Sequence, residues 1–134
     1  MDTLDPARRS ENMRRIRSKD TAPELQVRRL VHALGYRYRL HDKSLPGKPD
    51  IVFRSRKSVI FVHGCFWHLH PNCNEARIPS TRQDYWIPKL TRNSERDRAH
   101  TRKLRRLGWR VLKLWECELK STEKLTRKLT RFLG

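Results

Sequence analysis

Pro49-Asp50-Ile51-Val52-Phe53-Arg54-Ser55-Arg56-Lys57-Ser58-Val59-Ile60-Phe61-Val62-His63 is the stretch on which the fold turns. Two runs rich in β-branched and aromatic residues, 50–53 and 59–63, flank a polar connection, which reads as a β-hairpin. Upstream, Ser44 to Pro49 has turn composition. Before it, Tyr36, Tyr38 and Leu40 alternate with Arg37 and Arg39, the period of a half-buried strand. Further back, Thr21-Ala22-Pro23-Glu24 has the form of a capping box. Val27, Leu30, Val31 and Leu34 follow at helical spacing, and Gly35 supplies a stop. Downstream, Pro79-Ser80-Thr81 opens a long charged helical region ending near Gly108, which Pro88 is expected to kink or divide. Trp109–Trp115 reads as a fourth strand, and Leu125, Leu129, Phe132 and Leu133 mark a closing helix. Helix, three strands, helix, strand, helix predicts a three-layer α/β sandwich around a mixed sheet.

Immediately after the hairpin comes His63-Gly64-Cys65-Phe66-Trp67-His68-Leu69-His70-Pro71-Asn72-Cys73. Two of the three cysteines and three of the six histidines fall in this window. Thiolate and imidazole are zinc's preferred ligands, four in a tetrahedron at a structural site. Cys65, His70 and Cys73 have suitable spacing and Cys117 can close the shell, with His68 the other histidine able to face the metal. Phe66 and Trp67 then sit in a loop that metal would hold rigid, a suitable tool for wedging between stacked bases. Trp86 is a further candidate wedge, with core packing as its alternative.

Lys and Arg number 32 against 14 acidic residues, a net charge of +18 on 134 residues. One domain of this size carrying such an excess points to nucleic acid rather than to a generically solvated surface. Residues 1–20 read as a basic arm able to contact DNA, and 21–134 as a single domain. The longest apolar run, Val59-Ile60-Phe61-Val62, is too short to span a bilayer, and the charged first 20 residues do not read as a secretory signal. An odd number of cysteines placed among histidines favours metal over disulfides and a reducing cytoplasm.

For chemistry, Asp50 at the head of a strand is where metal-dependent nucleases place a carboxylate that holds magnesium. The alternative is a simple turn cap. Glu24 is a candidate second carboxylate, its alternative role being the third residue of the capping box. Asp97, in the polar run Asn93 to Arg98, can orient a histidine by accepting its ring proton, and His63 and His68 need not both bind zinc. A non-catalytic zinc-stabilised DNA-binding module and a double-strand restriction-type nuclease are the competing functions.

These residues together resemble the very-short-patch-repair (Vsr) mismatch endonucleases, a branch of the PD-(D/E)xK nuclease superfamily. The resemblance covers about residues 10 to 133. It rests on Asn12-Met13, Asp20-Thr21-Ala22 and Glu24, Leu45 to Asp50, His63 to His68 with His70 and Cys73, Thr81-Arg82 with Trp86, Asn93 with Glu95 to Arg98, and Gly108 to Val111 with Trp115-Glu116-Cys117. It implies a restriction-endonuclease-like fold and a nickase for T:G mismatches left by deaminated 5-methylcytosine. Such an enzyme cuts 5′ of the mispaired thymine and works beside a cytosine-5 DNA methyltransferase. The resemblance further implies a monomer acting on double-stranded DNA at the nucleoid. Asp50 would bind magnesium, His68 would be the general base paired with Asp97, and Glu24 and His63 would complete the phosphate and water network. Cys65, His70, Cys73 and Cys117 would bind a structural zinc; Phe66, Trp67, Trp86 and Met13 would intercalate. Val62, His63 and Gly64 stand where the superfamily has its second acid and lysine, so only the Val62 backbone carbonyl can add a magnesium ligand there.

Overall fold

The computed structural model describes residues 21–134, and the arm of residues 1–20, with Met13, lies outside the described residues. Helix α1 spans Ala22–Ala33. Thr21 caps it, its Oγ1 accepting from the Glu24 N–H at 3.4 Å, and Pro23 sits in the first turn where its missing donor costs nothing. It stops at Gly35, whose φ of +90° suits the left-handed position that closes a helix. Strand β1 is Arg39–Leu40, β2 is Ile51–Phe53 and β3 is Ser58–His63. Helix α2 is Gln83–Arg106, β4 is Arg110–Trp115 and α3 is Thr122–Leu133.

The sheet runs β1-β2-β3-β4. The hairpin is antiparallel, with Ile51 opposite Ile60 and Phe53 opposite Ser58. β3 and β4 are parallel, with Val62 beside Leu114 and His63 beside Trp115. A parallel neighbour requires a crossover, and α2 provides it. Because strand side chains alternate between faces, the hairpin feeds two cores. Ile51, Phe53 and Ile60 pack with Val27 and Val31 of α1 and Leu125, Leu129 and Leu133 of α3. Val52, Val59 and Phe61 pack with Leu104 of α2 and with Trp109. The sheet is therefore apolar on both sides, and the fold is mixed α/β with a mixed four-stranded sheet and three α-helices among the described residues.

Three local expectations change. The strand read over Tyr36–Leu40 pairs only at Arg39 and Leu40, opposite Val52 and Ile51. Tyr36 and Tyr38 keep their core-facing side, meeting the Phe53 ring edge-on at 6.4 and 6.3 Å, so the alternation reported packing rather than pairing. Pro88 does not divide α2, which runs unbroken from Gln83 to Arg106. It lies early in the helix, and the one carbonyl it leaves without a partner, that of exposed Asp84, faces water. Glu116–Lys120, read as part of no element, forms a 3-10 turn that carries Cys117 off the end of β4.

Candidate active site and metal cluster

Asp50 stands one residue before β2, and its Oδ2 accepts the Val62 N–H of the neighbouring strand at 2.7 Å. That bond aims the carboxylate toward the start of α1. Glu24, only 2% exposed, faces it from the first turn of that helix, held by Arg28 one turn on and by His41. His41 Nε2 lies 2.9 and 3.1 Å from the two Glu24 oxygens, and the His41 backbone N–H donates to the Asp50 carbonyl at 3.2 Å. Ligand atoms of Glu24, His41 and Asp50 lie within 4.8 Å of one another. Burial first, and the adjoining Glu24 second, push the Asp50 carboxyl up to about 8. Two buried carboxylates in contact repel when both are ionised, so a cation between them fits the donor set. The helix-capping role of residue 24 is left to its backbone N–H; its carboxylate belongs to the cleft.

A second pair faces the same cleft. His68 Nδ1 lies 2.6 Å from Oδ2 of Asp97 on α2. Burial pushes the Asp97 carboxyl up, but the hydrogen bond and charge of His68 outweigh it, and the carboxyl lies below its ordinary value. The ring of His63 stacks on that of His68, centroids 3.9 Å apart and planes 5° from parallel. Burial, and then His68, drive His63 down to about 3, so it is a neutral imidazole at physiological pH. His63 is 4% exposed, and its Nδ1 has no hydrogen-bond partner among the described residues. A buried nitrogen left open toward a cleft is a place for water or phosphate oxygen. The cleft itself encloses about 1340 Å³ and is also lined by Phe66, Trp67, Lys43 and Lys48.

Behind it, Cys65, His70, Cys73 and Cys117 bring three Sγ atoms and a ring nitrogen within 4.8 Å of one another. Neighbouring ligands on tetrahedral zinc are about 3.6 Å apart, given bonds of about 2.0–2.3 Å; His70 Nδ1 to Cys117 Sγ is 3.4 Å. All three cysteines are free. The structure thus places His70 among the thiols and His68 on Asp97, separating two histidines that local spacing left interchangeable. Trp115 stands between the two groups, stacked on His70 at 4.2 Å and edge-on to His63 at 5.2 Å. Phe66, Trp67 and Trp86 form a half-buried cluster at the cleft mouth, with centroids 4.9 to 6.0 Å apart. Trp86 therefore joins the loop aromatics and neither of the two cores.

Sequence reading missed His41 and the wall formed by Trp115. Trp115 was expected in the core, where Trp109 does lie. Glu24 and Arg28 are four apart on a helix, a pairing that spacing alone could have found. His41 had no such signal, since its side chain meets Glu24 only through the turn that brings residue 41 beside Asp50.

The raised Asp50 carboxyl has a measurable consequence. A carboxyl raised on folding contributes stability that is full below its unfolded value of 3.8 and is lost as pH rises through the folded value of about 8. Metal-free protein should therefore lose melting temperature across that window. Asp50→Asn should flatten the slope, and added magnesium should restore most stability at the alkaline end. An unchanged slope in Asp50→Asn would assign the titration elsewhere.

A paired histidine and carboxylate facing buried acids across a cleft, on a strongly basic chain, is equipment for hydrolysing a phosphodiester. The family model described as DNA mismatch endonuclease Vsr matches residues 1–75. The type II nicking enzyme V.XorIIP of Xanthomonas oryzae pv. oryzae is 50% identical over 132 residues, 98% of this chain and 96% of its own. The DNA mismatch endonuclease Vsr of Escherichia coli (strain K12) is 48% identical over 125 residues, 93% of this chain and 80% of its own. The type II nicking enzyme V.NmeAIP of Neisseria meningitidis serogroup A is 42% identical over 132 residues, covering 98% of this chain and 94% of its own. The chain belongs to the Vsr DNA mismatch endonuclease family. It is a DNA endonuclease of mismatch repair, and no helix among the described residues is long and apolar enough to cross a membrane.

Proposed function

We propose that this protein nicks DNA at T:G mismatches, cutting 5′ of the mispaired thymine, with magnesium at Asp50. The carrying observation is the pair of devices on one cleft: Asp50 with Glu24, and His68 with Asp97. Relatives named as nicking enzymes support a single-strand cut. Magnesium held by Asp50 and the Val62 carbonyl would supply Lewis-acid stabilisation of charge building on the scissile phosphate. The chain's own residues do the rest. Asp97, ionised, can only accept in its hydrogen bond with His68, so the proton sits on Nδ1 and Nε2 keeps a lone pair. That lone pair takes a proton from the attacking water. Asp97 then stabilises the imidazolium, and neutral His63, stacked against it, adds no opposing charge. The open Nδ1 of His63 is available to phosphate or water, and Glu24 holds its place beside Asp50.

Zinc at Cys65, His70, Cys73 and Cys117 would fix the loop that carries Phe66 and Trp67. These rings and Trp86 would enter the stack beside the mismatch, with Met13 from the arm opposite. A wobble pair is easier to open than a matched one, so selectivity arises partly as deformation energy. In this reading α1 and α3 cover one sheet face and α2 the other, the three-layer restriction-endonuclease-like sandwich. Residues 21–134 are the catalytic domain and 1–20 an arm for DNA. The enzyme works as a monomer on the chromosome in the cytoplasm, beside a cytosine-5 methyltransferase that creates its lesion.

The test is a duplex library with a single T:G pair, randomised flanks and magnesium. One nick 5′ of the thymine is expected. Equal cutting of matched duplex, or cutting of both strands, would overturn the proposal. A second prediction concerns binding. Trp67→Ala should erase most preference for T:G over matched duplex while leaving the salt dependence of binding, set by phosphate contacts, nearly unchanged. Equal loss for both duplexes would make Trp67 a packing residue.

A further inference from the structure

His41 is the polar side chain in the cleft that the nickase reading leaves without work. Three observations fix it in place. Its imidazole Nε2 faces both oxygens of buried Glu24 at 2.9 and 3.1 Å. Its backbone N–H is bonded to the carbonyl of Asp50. Its φ is +47°, a left-handed conformation that costs free energy for any residue with a side chain. The ring is mostly buried, with 17% of its side-chain surface exposed. Strain held beside a carboxylate pair calls for a use.

We propose that His41 is a nitrogen ligand of the ion held by Asp50 and Glu24, and that it makes this a site for a transition-metal ion, manganese above all, in preference to magnesium. The inference rests on reading these two carboxylates as metal-holding and deepens that reading. Ligands at neighbouring corners of an octahedron with bonds of about 2.1 Å lie about 3.0 Å apart. The His41–Glu24 separations match that spacing as well as they match a hydrogen bond. Among divalent ions, magnesium favours an all-oxygen shell and keeps much of its water, whereas imidazole raises affinity for later, more polarisable metals. Two carboxylates and one imidazole, with Arg28 fixing the outer side of Glu24, therefore form a donor set better suited to manganese.

The experiment uses the full chain, with its cysteine cluster zinc-loaded and no DNA present. Manganese binding is followed by the loss of free-ion paramagnetic resonance signal, and magnesium binding by competition. Wild type should hold manganese roughly tenfold or more tighter than magnesium. Its bound manganese should show nitrogen modulation from a directly coordinated imidazole. His41→Gln, which can still donate to Glu24, should lose roughly tenfold in manganese affinity, lose the nitrogen modulation, and keep magnesium affinity. Absence of nitrogen modulation in wild type overturns the inference without recourse to any variant. So does equal loss of both metals in His41→Gln, which would leave His41 only orienting Glu24. If Asp50→Asn keeps wild-type binding of both ions, the carboxylate reading itself fails, an outcome distinct from the other two.

Discussion

Asp50→Asn should bring nicking to background at any magnesium concentration while T:G duplex binding is kept. Asparagine preserves an oxygen to accept the Val62 N–H, so no buried donor is orphaned and the strand pair should stay intact. What disappears is the anionic charge, and with it the side chain proposed to hold magnesium. Losing a negative group that faces phosphate should, if anything, tighten binding. The neighbouring dyad sets the comparison. His68→Ala should bind DNA and lose about 10²–10⁴-fold in single-turnover rate, the usual worth of a general base. Asp97→Asn should lose less, because it touches the base and not the substrate. Zinc content measured on the same samples completes the test. If His68→Ala sheds zinc while His70→Ala keeps it, the two histidines have exchanged roles and His63 becomes the candidate base.

Cys117→Ser should damage the whole fold. Cys117 reaches the cluster from the 3-10 turn after β4, while Cys65, His70 and Cys73 arrive from the loop after β3. Removing one of four ligands should cost about 3 kcal/mol or more, lowering the melting temperature on the order of 10 °C. Chelation of the wild type should do the same. Activity should vanish in parallel, because the loop that loses its anchor carries Phe66, Trp67 and His68. Full zinc content with unchanged melting in Cys117→Ser would remove that cysteine from the shell.

The parts legible in the sequence were those whose partners lie close along the chain. Residues 50–63 carry their hairpin in side-chain type, and Cys65, His70 and Cys73 advertise one another through spacing. The α1 signals were local too: Thr21, Pro23 and the Val27–Val31 stripe. Contacts made by sheet topology were harder. Asp50 and Glu24 could be proposed as partners only through resemblance, since nothing in their spacing places a helix start beside a strand start. His41 was invisible for that reason, as was Trp115, whose strand period gives a face but not that a metal cluster and a histidine would occupy it. Tyr36 and Tyr38 misled differently: a period of two marks which side chains face inward, and it is satisfied without any ladder of hydrogen bonds. Pro88 misled because a rule for helix interiors was applied to a residue near an exposed helix start.

The parallel pairing of β3 with β4 carries one more consequence. Of all the contacts in the sheet it closes the longest loop, since the whole of α2 must be threaded between the strands, and long loops lose the most chain entropy on closure. The four cysteine and histidine ligands sit at the matching ends of these strands, three beyond β3 and one beyond β4. A metal held there ties the same loop at the same point, acting on the unfolded chain much as a crosslink would. The ion then sets the order of events: with metal present the slow, distant strand pairing becomes a local one, and without it the hairpin must wait for its fourth strand to arrive by diffusion.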